Sequence, residues 1–114
     1  MGIGKMICVL VLDDEPIART DKVIATAIQK ARISKTPYIS IVFLSTSSTN
    51  VFKYRDVFTK YIDIGVRVYI EHNIENLKKI MISENCKNIY IPSGDENLRR
   101  TIAGLGIAMN IEEV

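Results

Sequence analysis

The sequence predicts a single α/β domain built on a parallel sheet, in a three-layer, Rossmann-like arrangement, and three observations carry that reading. Short apolar runs alternate with segments of helical periodicity, as where residues 6–12 are followed by the stripe of Ile17, Ile24, Ala27, Ile28 and Ala31. The first run is continuously apolar, the pattern of a strand covered on both faces. The chain has 114 residues, 47% of them apolar and 25% charged, which is enough for one core and too little for two. Strands alternating with helices of about ten to fifteen residues form βαβ units with right-handed crossovers.

Taken in order, the first strand covers 6–12 and stops at Asp13, Asp14 and Glu15. Pro16 then opens a helix, with Asp14 or Glu15 as its cap, and residues 34–37 break it. A second strand covers 38–44 and ends in the hydroxyl-rich run 45–49 before Asn50. Val51, Tyr54, Phe58, Tyr61 and Ile62 give a second helix its apolar face, and Gly65 is expected as its C-terminal cap. Val66, Val68 and Ile70 alternate with Arg67, Tyr69 and Glu71, which places the third strand at the rim of the sheet. Asn73 is expected to cap a third helix with Ile74, Leu77, Ile80 and Met81 facing inward. A fourth strand covers 88–92, one or two helical turns cover 95–103, and a last strand covers 107–111.

Charge narrows the function classes. Fifteen basic and thirteen acidic side chains leave a formal charge of +2, and the basic residues are scattered from Lys5 to Arg100. No basic patch is read that would suit nucleic acid or a membrane surface. The run 6–12 is too short for a membrane span and is stopped by acids, so a cytoplasmic location is expected. Cys8 and Cys86 lie in or beside apolar runs, without CxxC spacing and with one histidine, His72, in the chain. Buried free thiols are expected and a metal site is not. Isoleucine is abundant, as in AT-rich or thermophilic sources.

In an open parallel sheet, ligands bind outside the carboxyl ends of the strands where strand order reverses. Asp13 to Glu15, Ser45 to Ser48, and Ser93, Gly94 and Asp95 reach that edge. Carboxylates there can accept from an adenine amino group or a ribose hydroxyl, and Gly94 lets backbone N–H groups approach a phosphate. Each segment also has a plainer reading, as a helix cap or an ordinary turn.

Gly94 and Gly104, with nine residues between them after a short apolar run, make most of a phosphate-binding loop. With the aspartate ending the first strand, followed by Glu15 and Pro16, they resemble the universal stress protein family. The likeness implies a five-stranded parallel sheet in the order 3-2-1-4-5 with a shortened final helix. In the ATP-binding branch the motif is G-x2-G-x9-G-S/T; here Gly94 and Gly104 match its second and third glycines, while Ile91 and Leu105 replace the first glycine and the hydroxyl residue. By this likeness ATP with magnesium is the implied ligand. Asp13 would take its adenine or ribose end, the backbone at Leu44 and Ser45 would line the base, and Gly94 and Gly104 would lie against phosphate, with Ser93 and Asp14 as further candidate nucleotide-binding residues. Asp13 and Asp14 together could hold magnesium beside it. The family commonly dimerises through its last strand, which here points to Ile107, Met109 and Ile111 and a homodimer.

Leu12 to Pro16 also resembles the acidic start of response-regulator receiver domains, but the phosphorylatable aspartate and the lysine such domains need are replaced by Glu71 and Glu112. No G-x-S-x-G elbow, full Walker loop or evident nucleophile argues for an enzyme. Three readings therefore remain: a regulatory, stress-related nucleotide binder, an interaction module on the same fold with the cleft lost, and a receiver-like domain that signals without phosphorylation. Ile91 and Leu105 side chains filling the cleft would favour the second, and unpaired Gly94 N–H groups the first.

Overall fold

The computed structural model describes residues 6–12, 14–45, 59–60 and 64–114. Five parallel strands form one sheet: β1 (Met6–Leu12), β2 (Tyr38–Leu44), β3 (Gly65–Glu71), β4 (Cys86–Ile91) and β5 (Asn110–Glu113). Their order is β3-β2-β1-β4-β5, which is the expected topology and puts β3 at one rim. The described helices are α1 (Ile17–Ile33), α2 (Ile74–Ser83) and α3 (Glu96–Gly104). The second predicted helix lies outside the described residues except for Thr59 and Lys60, and Lys60 pairs with Asp21 of α1 at 3.0 Å.

Alternation along the strands divides the apolar residues between two layers. Ile7, Val9 and Val11 of β1, with Ile39, Ile41 and Phe43 of β2, pack under Val23, Ile24, Ala27, Ile28 and Ala31 of α1. Cys8, Leu10, Val42, Ile89 and Ile91 face the other way and pack against Leu77 and Met81 of α2 and Leu98 and Ile102 of α3. The α1 stripe is as expected except at Ile17, which is exposed, and at Thr20 and Val23, which are buried in addition. In α2, Leu77 and Met81 are buried, Ile80 is half-buried and Ile74 is exposed.

Several local expectations are corrected. Pro16 itself occupies the N-cap of α1, without a side-chain cap hydrogen bond, so neither Asp14 nor Glu15 stands at the cap position. Gly65 is no helix cap: it opens β3, its N–H donates to Pro37 O at 3.0 Å, and an added Cβ would lie 3.1 Å from Tyr38 Cβ. Close approach of two strands, not a left-handed turn, favours glycine here. β4 starts two residues earlier than expected. β5 starts three later, because α3 runs to Gly104 and the chain needs Leu105 to Met109 to return to the start of the strand. Ile107 and Met109 thus precede β5.

The cysteines are not free thiols. Cys8 and Cys86 form a disulfide with their Cα atoms 5.7 Å apart, inside the range such bonds require. They lie 78 positions apart in sequence, and only the adjacency of β1 and β4 brings them together. In the chain-entropy account, closing a loop of that length stabilises the fold by about 4–5 kcal/mol.

A second cross-link is polar. Glu84, the C-cap of α2, is buried, and its carboxylate accepts from Ser40 Oγ at 2.6 Å, Tyr69 OH at 2.9 Å and Arg67 at 3.1 Å. Burial pushes the Glu84 carboxyl upward, but the Ser40, Tyr69 and Arg67 interactions outweigh it and hold the group below its ordinary value. The same hydrogen bond, with burial, raises Tyr69. Arg67 also stacks over the Tyr38 ring, 4.0 Å from its centroid.

Candidate functional site

Strand order reverses between β1 and β4, so the crevice outside their carboxyl ends is where a ligand of this fold class would bind. Asp13, Thr46, Ser47 and Ser48 lie outside the described residues. Asp14 is exposed in the turn after β1, in which Glu15 N–H donates to Leu12 O at 3.2 Å. Glu15 is nearly buried and pairs with Arg19 Nε at 3.2 Å. The same guanidinium donates to Ser93 O, so Arg19 spans the crevice from the β1–α1 turn to the β4–α3 turn.

Gly94 adopts φ +80, a left-handed conformation that only a glycine takes without strain. Its N–H is occupied: it donates to Glu113 Oε1 at 3.1 Å, and the other oxygen of that carboxylate pairs with Arg99. Ser93 N–H donates to Val114 O and Val114 N–H to Ile91 O, each at 3.0 Å, which carries the β4·β5 pairing into the loop. Asp95 then caps α3, accepting from Leu98 N–H at 3.1 Å. The two N–H groups that would receive a phosphate therefore already bond to the last two residues of this chain.

Gly104 ends α3, whereas Gly94 precedes its start. At about 1.5 Å per residue the helix separates its two ends by roughly 12 Å, so the two glycines are not brought together. A Cβ added at Gly104 meets nothing within 4 Å. Ile91 and Leu105 are buried in the layer under α2 and α3. Leu44 is half-buried in that layer too, and buried Ser45 donates its N–H to Glu71 O at 2.9 Å. His72 Nδ1 lies 3.1 Å from Ser45 O. Burial opposes ionisation of Glu71, yet the His72 and Asn73 N–H groups and the Asn76 amide hold it below its ordinary value.

Ile107, Met109 and Ile111 are half-buried against the α2–α3 layer of their own chain. Val114 bonds β4 through both its N–H and its C=O, and in a parallel ladder this role alternates. Ile111 and Glu113 consequently turn their N–H and C=O groups toward the open edge.

Arg19 and Glu113 were not singled out by sequence. Glu15 and Arg19 have the i, i+4 spacing of a helical ion pair, the one local hint, whereas nothing local links Glu113 to residue 94. Among the described residues no group of three or more His, Cys, Asp or Glu side chains could hold a metal ion. No helix among them is long and apolar enough to cross a membrane. The chain matches no family model, and neither curated proteins nor solved structures give a significant match.

Proposed function

We propose that this domain is a universal-stress-protein-like interaction module that acts by binding protein, in the first place a second copy of itself, and not by binding ATP. The observation that carries this reading is the occupation of Gly94 N–H by Glu113 and of Ser93 N–H by Val114. A phosphate would have to displace an internal carboxylate already paired with Arg99. Ile91 and Leu105, buried in the core, support the same reading. The strand order speaks against a receiver-like role, since flavodoxin-like domains follow 2-1-3-4-5.

The contact surface proposed is the open edge of β5, where the outward groups of Ile111 and Glu113 can pair with a symmetry mate. A cytoplasmic location belongs to the same proposal. A disulfide shielded from thiols is compatible with it, as in the intracellular proteins of heat-adapted organisms.

Sedimentation of the purified protein tests the dimer, with Ile111→Pro and Ile111→Ala as variants. Both lose the side chain, but only proline removes the outward N–H. A dimer that survives Ile111→Ala and dissociates in Ile111→Pro supports the edge. A monomer at every concentration overturns it. Millimolar magnesium ATP is expected to leave the melting temperature unchanged. A rise of about ten degrees, as for a ligand near a hundredfold its Kd, would restore the nucleotide-binding reading.

A further inference from the structure

We propose that the Cys8–Cys86 disulfide is a redox-sensitive latch on edge strand β3, acting through the short turn that joins α2 to β4. Cys8, Ser40 and Arg67 are register partners across β1, β2 and β3, and so form one row on one face of the sheet. The turn reaches every member of that row. Cys86 is bonded to Cys8, and two residues earlier Glu84 accepts from both Ser40 and Arg67. Asn85 between them has φ +54, a conformation that asparagine tolerates and most residues avoid.

The backbone ladder gives this turn little independent hold. Met6 pairs with Cys86, but Ile7 already pairs with Asn88, so the β1·β4 register slips as β4 begins. Two side-chain links, one covalent and one ionic, therefore fix the same turn. Among the described residues β3 has a strand neighbour on one side only, and Glu84 ties it to α2 through Arg67 and Tyr69.

The chemistry is ordinary thiol–disulfide exchange with a dithiol reductant. Its thiolate attacks one cysteine sulfur, and the other leaves as a thiolate and takes up a proton. The second thiol of the reductant then closes its own disulfide and releases the first cysteine, so two electrons and two protons enter the protein. Cys8 is fully buried and Cys86 is 3% exposed, so the exchange waits for α2 to lift from the sheet. Once reduced, the turn loses its covalent anchor on β1, and Glu84 is released to move away from Ser40 and Arg67.

Hydrogen exchange of oxidised and dithiothreitol-reduced protein, resolved by residue, is the test. Reduction is expected to lower the melting temperature by more than about ten degrees. It is also expected to speed exchange of the β3 amides about tenfold relative to those of β1. Glu84→Gln should loosen β3 in the oxidised protein and add little once the protein is reduced. Two titratable thiols in the native, unreduced protein would overturn the proposal. Equal loss of protection in β1 and β3 would also overturn it, leaving a staple without a latch. The Cys8→Ala/Cys86→Ala variant serves as a permanently reduced form, and reduction of the wild-type chain decides the matter if that variant does not fold.

Discussion

Glu84 receives three donors from two strands while buried at the end of a helix, so its ionised form is tied to the folded state. Its folded pKa lies below the unfolded one, and the stability it contributes is complete above the ordinary carboxylate value. That contribution is lost as pH falls through the folded pKa. Glu84→Gln keeps the shape but loses the charge facing Arg67, at an expected cost of about 1–3 kcal/mol at neutral pH. Denaturant titrations from pH 7 to pH 3 check this: the wild type should lose its margin over the variant as acid is added. A constant margin would mean that the carboxylate is not what matters. Nothing in the sequence around Glu84 announces this role, because its partners come from 15, 17 and 44 positions away. Gly65 was legible as a special position but for the wrong reason, since a glycine before a strand looks the same whether it caps a helix or clears a neighbour.

At ten residues, α2 is too short to persist on its own and depends on its ends and its two buried side chains. Asn73 Oδ1 accepts from Glu75 N–H at 2.7 Å and from Asn76 N–H at 3.4 Å. Asn73→Ala should therefore cost about 1 kcal/mol, and Asn73→Ser should recover most of it. Thermal unfolding of the two variants measures the difference, and equal melting temperatures would show that the cap contributes nothing. This cap could be read from sequence because capping is local. The start of α1 could not, because Pro16 fits both the cap and the first turn, and its φ of −54 suits either. Strand limits were least legible at β5, whose apolar residues 107 and 109 pack on the core from outside the strand. The candidate site fared in the same way. Its segments were recognisable by their glycine and acids, but the groups that occupy it arrive from α1 and from the end of the chain.

Strand order is a property of the whole molecule, and the patterns fixed only part of it. Alternation in residues 66–71 marked an edge, while the neighbours of β1 and β4 followed only from a family likeness, and the disulfide between those two strands was not anticipated at all. The resulting sheet carries its two apolar layers on opposite sides of the same strands, with Val9 facing α1 and Leu10 facing α2 and α3. Neither layer can dissolve without unpairing strands that the other needs, so the domain should unfold in one transition, as chains of this size usually do. Ile28→Ala on one side and Met81→Ala on the other each remove a fully buried side chain, at about 2–5 kcal/mol. At roughly 4 degrees per kcal/mol, each should lower a single melting temperature by about ten to twenty degrees. Far- and near-ultraviolet circular dichroism should report coincident midpoints in both variants. If Met81→Ala instead produced an early transition that spared the α1 side, the sheet would not couple its two faces. The turn from Glu84 to Cys86 would then be a local clasp and not a junction between them.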